Sequence, residues 1–341
     1  MSSPRTIPRT IALPTAGAVA AALAVLAIVP GAGAQRARPA ASCTPVSNIE
    51  AIIDDSGSMS STDPNRLRVQ ALDLLIETPG NEGITFGALE FGGAFSPGEQ
   101  ATDTVFPPEA IGPNAKAMQA ALNEKIKADN GLTDYNAAFA KAKADDPGAK
   151  AWIFLTDGGH DIGEYENGHR GGPPTYVIGF SSAISGPDGE RLQLIASDTG
   201  GHYYPQTDSS SLQAVVNQVS TALTCQTPPK TFSDSFLKVG QSKSHAVALP
   251  ATVHSAQMTL SWASPLDSFT ISNVRIVRNG KTVAVAARKR KLKVTTRHGT
   301  TFLVVRLSQL VRGTLRFNVR ATKIGSGAGA VKLTSQVTQG H

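Results

Sequence analysis

Ile49-Glu50-Ala51-Ile52-Ile53-Asp54-Asp55-Ser56-Gly57-Ser58-Met59-Ser60 is the stretch whose reading decides the fold. A short, mostly apolar run stops at two carboxylates and then at three hydroxyls threaded through one glycine. A buried parallel strand looks like this where it reaches the carboxyl edge of an open α/β sheet, the usual place for a ligand. Asp54, Ser56 and Ser58 alternate, so their oxygens can converge on one point. A carboxylate with two hydroxyls suits a hard cation such as Mg²⁺. The same residue types also cap helices, and on this stretch alone both readings stand.

Working outward, Leu67, Ala71, Leu74 and Leu75 recur at helical spacing over 66–76, and Pro79-Gly80 ends the run. Positions 84–91 read as a strand between glycines, 104–106 as a short edge strand, and 114–128 as a helix. A second loop, Gly131-Leu132-Thr133-Asp134-Tyr135-Asn136, precedes a helix over 137–144. The continuous apolar run 151–155 has the character of a central parallel strand and ends in Thr156-Asp157-Gly158-Gly159. A strand over 175–180, a helix over 190–196 and an edge strand over 202–204 follow. Leu212, Val215, Val216, Val219 and Leu223 then trace one helical stripe. Strands alternating with helices predict a doubly wound, mostly parallel open sheet of Rossmann-like kind.

Beyond Cys225 the pattern changes. Met258, Leu260 and Trp262 alternate with polar residues, and Asn279-Gly280 and His298-Gly299 mark hairpins. Further strands are expected over 315–321 and 331–337. This half predicts an all-β antiparallel sandwich of about seven strands, immunoglobulin- or fibronectin-like. Charge changes at the same place. Residues 43–225 hold 10 Lys+Arg against 24 Asp+Glu, whereas 226–341 hold 18 against 2. The overall +6 therefore hides two halves of opposite sign. The expected organisation is a leading segment over 1–34, a mobile leader over 35–46, an α/β domain over 47–225, a linker over 226–240 and a basic sandwich over 241–341.

Arg5 and Arg9 precede an uncharged Ala-rich stretch, then Pro30 and Ala32-Gly33-Ala34. A basic head, an apolar middle and a small-residue site describe a Sec-type signal peptide cut after Ala34, with an uncleaved anchor as the alternative. The expected location is secreted, extracellular or associated with the cell envelope. In that oxidising setting the two cysteines, Cys43 and Cys225, are expected to pair. Such a bridge would contribute roughly 5 kcal/mol on the chain-entropy model.

Taken together, Asp54-x-Ser56-x-Ser58, Thr133 in a Gly-x-Thr loop and Asp157 in Leu-Thr-Asp-Gly resemble the metal-ion-dependent adhesion site of von Willebrand factor A (VWA) domains. The resemblance spans Ser47 to about Leu223. It implies that Ser56, Ser58 and Thr133 bind Mg²⁺ directly, with Mn²⁺ as a substitute, and that Asp54 and Asp157 bind through water or in alternation. It also implies that a partner protein's Asp or Glu completes the coordination. Asp55, Asp134, His160 and Asp161 are expected on the rim. A second metal site from His160, Asp161, Glu164 and His169 matches no strong template. Arg288, Lys289, Arg290, Lys291 and Lys293 form a cluster suited to an anionic envelope polymer. Export makes specific nucleic-acid binding a poor fit, and the acidic and basic halves could instead dock on each other. The leading function is an exported adhesion or binding protein. An assembly subunit of an envelope complex is the alternative. A metal-dependent hydrolase is disfavoured, because the chain has no His-Glu-x-x-His and no Gly-x-Ser-x-Gly.

Overall fold

The computed structural model describes residues 45–340, apart from 79, 129–130, 180–183, 185, 206–211, 226–228, 287–290 and 328. The expected signal peptide, Cys43, Arg288, Lys289 and Arg290 lie outside the described residues. The Cys43–Cys225 bridge is therefore not shown. Val46 N does donate to Leu223 O at 2.8 Å, which brings the chain just after Cys43 alongside the turn that leads into Cys225.

The opening stretch forms β1 (Asn48–Asp54), which lies in the middle of a six-stranded sheet. It pairs in parallel with β2 (Thr85–Phe91) on one side and β4 (Ala151–Thr156) on the other. Parallel β5 (Thr175–Gly179) and β6 (His202–Pro205) extend the sheet beyond β4. β3 (Thr102–Ala110) runs antiparallel along the edge of β2. It is much longer than the strand expected over 104–106 and runs through Pro107-Pro108. An edge strand tolerates proline because one row of its N–H groups needs no ladder partner.

Every residue of β4 is buried, as is β1 after Asn48, because helices cover both faces. α2 (Leu67–Glu77), α3 (Ile111–Lys125) and α6 (Leu212–Leu223) pack on one face. α4 (Tyr135–Asp145) and α5 (Gly186–Thr199) pack on the other. This is the expected doubly wound, VWA-like α/β fold. The chain winds one way from β1 to β3 and the other way from β4 to β6. The switch point therefore falls between β1 and β4, where such sheets open a crevice at their carboxyl ends.

Among the described residues nine strands follow, against the about seven expected: β7 (Lys230–Phe236), β8 (Ser242–Leu249), β9 (Ser255–Trp262), β10 (Ser268–Arg278), β11 (Lys281–Ala286), β12 (Lys291–His298), β13 (Phe302–Ser308), β14 (Gly313–Lys323) and β15 (Val331–Gly340). They fold as a sandwich and pair antiparallel, except where Val285 and Ala286 meet Lys291 and Leu292. β7 lies within the stretch expected as a linker. It carries only Phe232 and Phe236 as apolar residues, too few to stand out as a strand. Asn279 and Gly280 both have positive φ, as a two-residue hairpin turn requires.

β13 has two buried faces. Leu303, Val305 and Leu307 enter the sandwich core, whereas Phe302 and Val304 pack on Leu74 of α2. Asn217 of α6 donates Nδ2 to Gln336 Oε1 at 2.8 Å, and Gln336 Nε2 donates to Ala214 O at 3.1 Å. Gln70 Oε1 accepts from Thr300 N (3.2 Å) and Oγ1 (2.7 Å). The acidic and basic parts thus meet through apolar and amide groups. The pair Arg297–Glu77 (3.3 Å) at this contact is exposed enough that screening leaves it little weight.

Glu50 is at odds with its place in β1. It is fully buried opposite Gly87, and neither carboxyl oxygen has a hydrogen-bond partner. A Cβ on Gly87 would lie 2.0 Å from Glu50 Oε2, so glycine makes the room. Burial, then the charges of Asp146 and Asp145, push this carboxyl up to about 9. The unfolded chain releases the proton near 4.5, so Glu50 draws stability down as pH rises from there to about 9.

Glu50→Gln is expected to match the native chain in chemical denaturation below pH 4.5 and to exceed it by on the order of 3 kcal/mol near pH 8; parallel pH profiles would refute this. Leu74→Ala is expected to cost about 2–4 kcal/mol by opening a cavity against Phe302 and Val304. A loss below 1 kcal/mol in the same assay would mean that this contact adds little.

Candidate metal centre

Three loops meet at the switch point. The first leaves β1 at Asp54, the second runs Gly131–Asp134, and the third leaves β4 at Asp157. Backbone bonds pin them to one another. Gly57 N donates to Gly131 O (3.1 Å), and Asp161 N donates to Thr133 O (2.8 Å). Thr133 N returns a bond to Asp161 Oδ2 (3.1 Å). The approach is close enough to demand glycine: a Cβ on Gly131 would lie 1.9 Å from Gly92 O, and one on Gly92 2.3 Å from Ser56 N.

Within this frame the side chains form a continuous oxygen network. Asp54 Oδ1 accepts from Ser56 Oγ (2.6 Å) and Ser56 N (3.0 Å), and Asp54 Oδ2 accepts from Thr156 Oγ1 (2.7 Å). Ser56 Oγ lies 3.1 Å from Ser58 Oγ, which donates to Asp157 Oδ1 at 2.9 Å. Thr62, at the end of the short helix α1 (Met59–Thr62), donates its hydroxyl to Asp157 Oδ2. Four of the five expected ligands are thus linked directly. Thr133, also buried, reaches the same edge through the bond from Gly57 to its loop.

The electrostatics of this network fit a cation. Asp54 is fully buried, and burial followed by the charge of Asp157 pushes its carboxyl up to about 6. Its partners are hydroxyls and a backbone N–H, and no cationic side chain is among the causes of that shift. Two acidic groups at one buried point, ringed by neutral oxygens, are the donor set a hard divalent ion takes. Asp54, Ser56, Ser58, Thr133 and Asp157 are the residues that would hold it.

The rim differs from expectation at Asp55. It is fully buried beneath the loop and paired with Arg68, which also binds Asp63 (3.0 Å), with all three side chains shielded from solvent. Asp55 also accepts from Lys127 N (2.8 Å) and Ala128 N (2.7 Å), so it braces the site from below. Asp134 caps α4 by accepting from Ala137 N (3.0 Å). Asp161 is exposed at the rim. His160 Nδ1 accepts from Tyr135 N (3.1 Å), and burial lowers its pKa, favouring the neutral ring.

Among the described residues no group of three or more His, Cys, Asp and Glu is arranged to hold a metal, so His160, Asp161, Glu164 and His169 do not gather as one. His169 instead contacts Tyr165 and Asp198. Sequence reasoning missed Thr62, Thr156 and Tyr135, whose Oη donates to Gly158 O at 2.5 Å. The spacing Ser58-x-x-x-Thr62 on a helix was the available signal. Leu132 on the second loop and Phe95 on the loop after β2, joined by the bond from Leu132 N to Ala94 O (2.7 Å), are both exposed and apolar.

Arg68→Met is expected to strand Asp55 and Asp63 and to cost about 3–5 kcal/mol in denaturant unfolding. An unchanged midpoint would remove this brace from the account.

No family model and no curated protein matches this chain. Solved structures similar to it include a von Willebrand factor type A protein from Catenulispora acidiphila, at 15% identity and a TM-score of 0.41, covering 86% of this chain and 64% of that one. The pilus adhesin SpaC from Lactobacillus rhamnosus GG gives 14% and 0.41, covering 87% and 44%. Proximal thread matrix protein 1 from the mussel byssus, with a zinc-occupied MIDAS motif, gives 14% and 0.41, covering 58% and 51%. The chain thus spans less than two thirds of these proteins' own lengths. Likeness at this level carries no information on ligand or role here.

Proposed function

We propose that this chain is an exported, non-enzymatic adhesion or binding protein whose α/β domain holds Mg²⁺ at Asp54, Ser56, Ser58, Thr133 and Asp157. One observation carries the reading: the Asp54–Ser56–Ser58–Asp157 network gathers two buried carboxylates at the switch point with hydroxyls and no basic side chain bonded to them. When bound, Mg²⁺ would leave an electrophilic position for an Asp or Glu of a partner protein. This chain's own part is to hold the oxygens convergent. The three loops are cross-bonded, so the site is built before a partner arrives, and Phe95 and Leu132 would meet the apolar flank of the partner's acidic residue. Mn²⁺ offers the same preference for oxygen and could substitute. The partner's identity and an envelope location belong to the same proposal. So does binding of an anionic polymer by the cluster from Arg288 to Lys293, of which Lys293 is exposed on β12.

Thermal unfolding tests the metal reading. In EDTA, Asp54→Asn is expected to be at least as stable as the native chain, because it relieves a buried carboxylate. MgCl₂ should raise the native Tm with concentration, adding about 2.7 kcal/mol of stability at a hundredfold excess over Kd, and leave Asp54→Asn and Asp157→Ala unmoved. A native Tm indifferent to Mg²⁺ and Mn²⁺ would end the proposal. The same variants should also lose EDTA-sensitive capture of proteins from a cell-surface extract.

A further inference from the structure

The face of the sandwich turned away from α2 and α6 carries a feature independent of the metal reading. The outward positions of β8, β14 and β10 align in rows across three strands. Ala246, Arg316 and Arg275 form one row, Ser244, Asn318 and Ser272 the next, and Ser242, Arg320 and Thr270 the third. Their neighbours along each strand, among them Val247, Leu315, Phe317 and Val319, point into the core. Arg316 and Arg320 are exposed and Arg275 is half-buried.

Arg275 and Arg316 stand directly opposite each other. Like charges at opposed positions, with Cα atoms about 5 Å apart, destabilise an antiparallel pair. Among the described residues none of the three arginines is in an ion pair of 4 Å or less. No carboxylate of this half is free to approach them. Its two acids are Asp234, bonded to His245 (2.7 Å), and Asp267, buried and accepting from Gly325 N (2.9 Å) and Ser326 N (3.2 Å). Arg275 Nη1 donates to Asn273 O (3.3 Å), so its guanidinium keeps further N–H groups for a ligand.

We infer that this face binds a carboxylate-bearing polysaccharide. The Arg275/Arg316 pair can take one carboxylate in the forked geometry that arginine favours. Arg320, four residues along β14 and about 13 Å away, takes a second further along the same chain. The row between them is hydroxyl and amide. Ser244 Oγ donates to Asn318 Oδ1 at 2.9 Å, which leaves the amide NH₂ for a ligand. Ser272 adds a group that both donates and accepts. Sugar hydroxyls between two uronates would use that row, whereas a phosphate chain has no donors to offer it. This assigns the uronate chemistry to the flat sheet face rather than to the cluster around Lys293.

The test uses the full chain in EDTA, with polygalacturonate as the probe and neutral dextran and inorganic polyphosphate as comparators. The native chain should bind polygalacturonate, not dextran, and bind it with or without Mg²⁺. R275Q/R316Q/R320Q should weaken binding at least tenfold and flatten its salt dependence with Tm unchanged. R320Q alone, at an exposed position, serves if the triple variant unfolds. S272A/N318A should weaken polygalacturonate binding while sparing polyphosphate. Absence of binding by the native chain would overturn the inference. So would native-like binding by the arginine variants, loss of binding in K291Q/K293Q instead, or polyphosphate competing as well as polygalacturonate. None of these outcomes depends on whether Asp54 and Asp157 hold a cation.

Discussion

Two carboxylates brought to one buried point are the constraint on which the α/β domain's chemistry depends. Asp54 and Asp157 come from adjacent parallel strands whose connections wind in opposite directions, and that topology opens the space between them. A carboxylate buried without a cationic partner keeps its proton more readily, and burial followed by the charge of Asp157 pushes Asp54 up. The fold tolerates this because the hydroxyls of Ser56, Ser58, Thr62 and Thr156 and the loop backbone surround the acids. The surrounding scaffold treats the adjacent carboxylate differently: Asp55 is paired with Arg68, which it shares with Asp63, and accepts from two backbone N–H groups. Of two consecutive aspartates, one is spent on holding the loop and the other is left for a ligand.

The helix α6 links this domain to the sandwich. Apolar side chains of its stripe pack on the sheet, while Asn217 and its neighbour Ala214 bond to Gln336 of β15. With Ser220 and Thr221 also buried, little of its surface is left for solvent. The two halves therefore meet at a neutral interface. Their opposite net charges remain mostly on other surfaces, where they face solvent and whatever binds there. That leaves the basic half with charge on its far sheet face and no internal use for it.

Much of this was legible before any coordinates. The run Ile49–Ile53 and the run 151–155 were readable as central strands because buried parallel strands are apolar on both faces and lose the alternation that marks a half-exposed one. The same rule applies to Phe302-Leu303-Val304-Val305, an equally continuous run; docking of the two halves was expected, if at all, from their opposite charges, whereas β13 meets α2 through apolar side chains. β7 escaped because two phenylalanines in seven residues give no periodicity above background. The length of β3 escaped because Pro107-Pro108 reads as a terminator unless the strand is known to lie on an edge.

The sequence by itself determined the alternation of strands and helices and the change of architecture after Cys225, and a resemblance singled out five oxygen-bearing residues in three separate loops as candidates. Local periodicity and motif chemistry carry that information within a window of a few residues. Only the tertiary structure made Asp55, expected on the rim, a buried brace, since that depends on Arg68 arriving from the next helix. It alone placed Thr62 and Thr156 on the carboxylates, buried Glu50 against Gly87, and aligned Arg275 with Arg316 across two strands. Each of these is a pairing between positions distant in the chain, and for the strand residues among them a one-residue shift in register would turn the side chain to the other face.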